Sequence, residues 1–98
     1  MRTYVTVVKA PVEALQKMGD LASWYESVKK VAERMGIEIV GGYGLLGRYD
    51  MMFIYHAPND KAAMSLSFAG QPKPGVTSET WTAVPMEEFA SIINRAKE

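Results

Sequence analysis

The run Tyr49-Asp50-Met51-Met52-Phe53-Ile54-Tyr55-His56 is apolar on both of its alternating sets, Tyr49/Met51/Phe53/Tyr55 on one side and Met52/Ile54 on the other. Successive strand residues point to opposite faces, so a strand of this kind needs cover on two sides. It is preceded by Ile37 to Leu46, another strand-like stretch, and Gly47-Arg48 between them fits a two-residue turn with Gly at its first central position. In that hairpin, paired residue numbers sum to 95, which sets Gly44 against Met51, Gly42 against Phe53 and Val40 against Tyr55. Glycines 41, 42 and 44 then read as room for bulky neighbours or as a bulge.

The remaining elements follow from period and punctuation. Thr3 to Lys9 is β-branched or aromatic almost throughout and stops at Ala10-Pro11, which marks a first strand. Pro11 opens a short helical piece, Val12 to Met18, broken at Gly19-Asp20, where Asp20 offers a cap to the next helix. In that helix Leu21, Trp24, Tyr25, Val28, Val31, Ala32 and Met35 recur at helical spacing, and Gly36 ends the run. Ala57-Pro58-Asn59-Asp60 leads into a helix over Lys61 to Ala69, Gln71 to Gly75 reads as a loop, and Val76 to Val84 reads as a Thr-rich strand holding Trp81. Pro85, with Glu87 and Glu88 behind it, opens a last helix on which Phe89, Ile92, Ile93 and Ala96 share a face.

The order β-α-β-β-α-β, with a short helical piece after the first strand and a further helix at the end, is the split βαβ, ferredoxin-like arrangement of the α+β class. Right-handed crossovers make the sheet antiparallel with order 4-1-3-2 and put both long helices on one face. The other face stays bare, and the two-sided apolar third strand predicts that a second copy of the chain covers it. A length of 98 residues fits one domain over residues 1–98, whose core is modest and unaided by any cysteine.

Composition narrows the partners. The 11 basic and 11 acidic residues balance and are scattered, whereas a phosphate-binding surface needs clustered Lys and Arg, so nucleic acid is not expected. No apolar run approaches the roughly 20 residues needed to cross a bilayer, and the alternating N-terminus lacks a signal-peptide core. The expectation is a cytoplasmic protein without membrane contact, cofactor or metal.

Asp50 is the foremost site candidate, because a carboxylate at the start of a central apolar strand must be paired, hydrogen-bonded or used. Its bland reading is an acceptor for backbone N–H groups or an ion pair with Lys9 at the same end of the sheet. His56 is the sole histidine, and any Ser-His-Asp or His-metal scheme must run through it, yet Asp50 and His56 lie roughly 20 Å apart along one strand. Tyr49 alternates with Asp50 and points to the other face. Trp24 and Tyr25 either fill the core or roof a pocket over Tyr43, Met52 and Ile54. Trp81, in an edge strand, serves either as a contact for another chain or as cover for the sheet edge. Gly41-Gly42-Tyr43-Gly44 lies inside a strand and lacks the Lys-Ser/Thr ending of a phosphate loop.

Taken together, Tyr4-Val5-Thr6-Val7-Val8, Leu46-Gly47-Arg48-Tyr49-Asp50, Ala57-Pro58-Asn59-Asp60, Ser78-Glu79-Thr80 and Glu87-Glu88-Phe89, in that order, resemble the GYD-domain family. Gly47, Tyr49 and Asp50 match its signature with Arg48 interposed, and the resemblance spans essentially the whole chain. The resemblance implies a dimeric α/β barrel, in which two ferredoxin-like subunits press sheet to sheet, or a higher assembly. It implies no settled activity, since such folds serve cofactor-free monooxygenases, isomerases, haem enzymes and ligand-sensing domains alike. Three readings follow: a homodimer holding a small, partly apolar ligand between sheet and helices through Tyr43, Tyr49, Asp50, Trp24 and Tyr25; a cofactor-independent monooxygenase or isomerase using Asp50 and His56; and a structural or regulatory assembly module without a ligand.

Overall fold

The computed structural model of the chain describes residues 1–69 and 74–97. Eight elements follow one another: β1 (Arg2–Lys9), α1 (Val12–Lys17), α2 (Leu21–Arg34), β2 (Glu38–Gly44), β3 (Met51–Ala57), α3 (Asp60–Ser67), β4 (Thr77–Ala83) and α4 (Met86–Ala96). The strands form one antiparallel sheet in the order β2-β3-β1-β4. This is the ferredoxin-like α+β arrangement expected from the sequence. Of the loop expected over Gln71 to Gly75, residues 71–73 lie outside the described residues, as do 70 and 98.

Local signals account for the helix ends. Asp20 caps α2 by accepting the Ala22 N–H at 3.0 Å and the Ser23 hydroxyl at 2.8 Å, and Asn59 caps α3 through the Ala62 N–H at 3.0 Å. At the far end of α2, Gly36 turns the backbone to φ 74°. Its N–H reaches Glu33 O at 3.1 Å while the Ile37 N–H reaches back to Ala32 O at 2.9 Å. Those two bonds form a Schellman motif, and its apolar contact is built from Ala32 and Ile37, both buried in the core.

Cross-strand register divides the sheet into two faces. One carries Tyr4, Thr6 and Val8 of β1, Met51, Phe53 and Tyr55 of β3, Ser78, Thr80 and Thr82 of β4, and Ile39 and Gly42 of β2. Helices α2 and α3 lie over it. The core there joins Tyr4, Tyr55 and Ala57 to Ala32, Ile37 and Ala63, with Met35, Ile39, Phe53, Ala62 and Leu66 packed around. Tyr55 is 1 % exposed and stacks on Tyr4 at 5.8 Å between ring centroids. The opposite face presents Val5, Val7, Met52, Ile54, Tyr43, Glu79 and Trp81, turned away from α2 and α3.

The hairpin departs from its expected form in two places. Glu38 and Ile39 pair with His56 and Tyr55, but Gly41 pairs with Ile54, so Val40 is the extra residue of a β-bulge. The expected pairing of Val40 with Tyr55 is therefore replaced by Ile39 with Tyr55. The bulge lets Ile39 and Gly42 face the helices together, although they are three residues apart. The expected two-residue turn is also wider. Ladder pairing stops at Gly44 and restarts at Met51, and a Leu45 N–H to Asp50 O bond at 2.9 Å holds the six-residue connection closed at the original register. Asp50 is also tied to β1, its N–H donating to Val8 O at 2.8 Å.

Candidate functional site

Two aromatic side chains of α2 meet the sheet at Phe53: Trp24 at 5.9 Å and Tyr25 at 6.0 Å between ring centroids. Tyr25 also lies against Gly42, where an added Cβ would fall 2.7 Å from its ring. The pair thus fills space between α2 and the β2–β3 half of the sheet. Tyr43, Met52 and Ile54 point to the open face, so of the two alternatives for the α2 aromatics the structure shows the filling of the core and not the roofing of a pocket over those three residues.

Asp50 sits where β1 ends, and its Oδ2 accepts the Ala10 N–H at 2.7 Å. Ala10 is buried, so this bond satisfies an amide that water cannot reach. Lys9 is close by, but its ammonium donates to Arg48 O at 3.4 Å, and the expected ion pair with Asp50 is absent among the described residues. His56 pairs across the ladder with Glu38, Nδ1 to Oε1 at 3.2 Å, on the surface. Asp50 and His56 are therefore each engaged locally, at opposite ends of β3.

Tyr49 breaks the alternation expected of it. It leaves the ladder before β3 and lies on the open face, its ring edge-on to Trp81 at 6.3 Å and its hydroxyl donating to Glu79. That bond to a carboxylate raises the Tyr49 pKa above 10.0, so the phenol keeps its proton. Reaching from the edge of β3 to β4, the side chain spans β1, and Val7, whose partners are Met52 and Glu79, is only 4 % exposed. Trp81 remains 46 % exposed beside it.

The concave part of the helix-bearing face lies elsewhere. Helices α2 and α3 leave β4 partly uncovered, and an open groove of about 480 Å³ runs there between α3 and β4. Its walls are Ala63, Met64 and Ser67 of α3, Phe68 just past its end, Ser78, Thr80 and Thr82 of β4, and Tyr4 and Asp60 at one end. Tyr4 donates its hydroxyl to Asp60 Oδ1, an interaction that raises the Tyr4 pKa, and Arg2 approaches the same oxygen at 3.5 Å. Under the groove floor the hydroxyls of Tyr55, Thr6, Thr80 and Ser67 form a continuous chain with steps of 3.0, 2.8 and 3.1 Å.

None of the candidate site residues Trp24, Tyr25, Tyr43, Tyr49, Asp50 and His56 lines this groove. The signal for it was nonetheless present: Ser78, Thr80 and Thr82 alternate, which puts three hydroxyls on one side of a single strand. Among the described residues no three His, Cys, Asp or Glu side chains gather as metal ligands, and no helix is long and apolar enough to cross a membrane.

No curated protein matches the chain. The family model of the GYD domain matches residues 4–93, from the buried Tyr4 of β1 through the wide Tyr49–Asp50 hairpin to Ile93 in α4. Since that match takes in every strand and all four helices in part or whole, the chain belongs to the GYD-domain family.

Proposed function

We propose that two copies of the chain pair through their open sheet faces and that each holds a small, partly apolar ligand in the groove between α3 and β4. The groove carries the reading. It combines a hydroxyl-lined sheet wall with Met64 and Phe68, and Phe68 is 79 % exposed, which costs solvation unless something rests on it. Pairing is supported by the open face, where Val5, Met52, Ile54, Tyr43 and Trp81 form a surface more apolar than a lone subunit favours.

Native mass spectrometry of protein purified from its own host tests both halves at once. The expected spectrum shows paired subunits carrying a retained small molecule that leaves on collisional activation. Bare monomer at micromolar concentration would contradict the pairing, and ligand-free pairs would favour an assembly module.

A further inference from the structure

The open face of the sheet is thicker along one edge than along the other. Register puts Gly41, Ile54, Val5 and Trp81 in one row across it and Tyr43, Met52, Val7 and Glu79 in the next, each read from β2 through β3 and β1 to β4. At the β4 edge the face stands high. Tyr49 meets the Trp81 ring edge-on, and its side chain adds a second layer over Val7 on the way to Glu79. At the β2 edge the face stands low. Gly41 has no side chain, and the Tyr43 ring leans back over it, so that a Cβ at Gly41 would lie 3.0 Å from that ring. One edge is a ridge and the other a shelf.

That asymmetry restricts how a second copy can sit on the face. Two sheets packed face to face keep their strands nearly aligned and about 10 Å between them. A two-fold axis can turn the second copy over in two ways. An axis across the strands sets β4 on β4 and β2 on β2, so that ridge meets ridge and the shelves stand apart. An axis along the strands sets β4 of each copy on β2 of the other, and each ridge falls on a shelf. Every row then lies on its own reverse, with Val5 over the partner's Ile54 and Val7 over the partner's Met52. The two Glu79 carboxylates come to opposite edges of the pair, which keeps like charges apart.

Resting on the pairing proposed above, we infer that the two copies are related by a two-fold axis along their strands, with Trp81 of each seated on Tyr43 and Gly41 of the other. Both rings are about half exposed in the single chain. Large aromatic side chains of this kind carry much of the energy of an interface, and contact between rings adds to what burial alone contributes.

Mixing two defective chains tests the seat. Trp81→Ala and Tyr43→Ala each remove an exposed ring, and circular dichroism checks that both variants keep the sheet. Two-fold symmetry makes each substitution strike both Trp81–Tyr43 contacts of a pair, so each variant alone should self-associate about a hundred-fold more weakly by sedimentation, about ten-fold per contact. A hetero-pair of the two variants loses one contact and keeps the other whole. It should therefore be weakened only about ten-fold, and native mass spectrometry of an equal mixture should show hetero-pairs well above the statistical share. Statistical mixing would put like residues on like across the axis and overturn the seat, while the pairing itself stands. Unchanged association of both variants would do the same. If the natural chain is monomeric at micromolar concentration, the pairing falls and the seat with it.

Discussion

At Gly42 the distance between α2 and the sheet is set by a missing atom. A Cβ there would come within 2.7 Å of the Tyr25 ring, which is held by stacking on Phe53 and by the Lys29 ammonium 4.8 Å from its centroid. Gly42→Ala is expected to lower stability by about 1 to 3 kcal/mol, the range for over-packing a fitted contact. The cost should fall to a few tenths of that in a Tyr25→Ala background, where nothing remains to collide with, and urea unfolding of the four proteins of this cycle measures the coupling. Asp50 is a second residue whose worth lies in a single bond. Asp50→Ala strips the buried Ala10 N–H of its acceptor and should cost about 1 to 3 kcal/mol, whereas Asp50→Asn keeps an oxygen in place and should recover most of that. Equal loss in both variants would mean that the charge at Asp50, and not the accepted N–H, matters.

Among the elements, α2 depends most visibly on its ends. The Asp20 carboxylate is held below its ordinary value of 3.8, chiefly by the Ser23 hydroxyl and then by the Ser23 and Ala22 N–H groups. A depressed carboxylate stabilises the fold in full above its unfolded pKa and loses that contribution as pH falls through the folded one. The stability gap between the natural chain and Asp20→Ala should therefore stay constant from pH 7 to 5 and close below pH 3.8, as read from urea midpoints. The α2 cap, its apolar stripe and its Gly36 stop were legible in sequence because each depends on neighbours within four residues. The strand order was legible too, since handedness leaves few ways to connect β-α-β-β-α-β. What escaped was long-range. The bulge at Val40 is decided by how Ile39 and Gly42 meet Tyr55, Tyr25 and Phe53, and Tyr49 leaves its strand because Glu79 and Trp81, thirty residues on, hold it over the open face. The hydroxyl chain joins residues 6, 55, 67 and 80, none of them unusual in its own surroundings.

For the molecule as a whole, the odd part is α4. No residue of it is buried, yet Phe89, Ile92 and Ile93 stand on one side of it and Met86 is exposed at its start. The Cα radius of gyration is 15.1 Å, against about 12.6 Å for a compact chain of this length, with a longest dimension of 53 Å. The helix is joined to the edge strand β4 by only Val84 and Pro85, so it starts beside that edge of the sheet. The open face is small. Four strands of seven or eight residues span roughly 19 by 23 Å, whereas a stable pair buries about 800 Å² on each partner. The further ~16 Å of amphipathic helix that α4 supplies lengthens the contact available to the proposed homodimer. Removing residues 85–98 should consequently spare the fold and impair the pairing. Circular dichroism should show an intact sheet with a thermal midpoint, measured at dilution, within about 2 °C of the full chain, as expected when no buried group is lost. Sedimentation should show self-association weakened about ten-fold or more, because a few apolar side chains at roughly 1.5 kcal/mol each leave the interface. Collapse of the fold would mean that α4 packs on its own subunit in solution. Unchanged association would mean that the sheet face suffices without it.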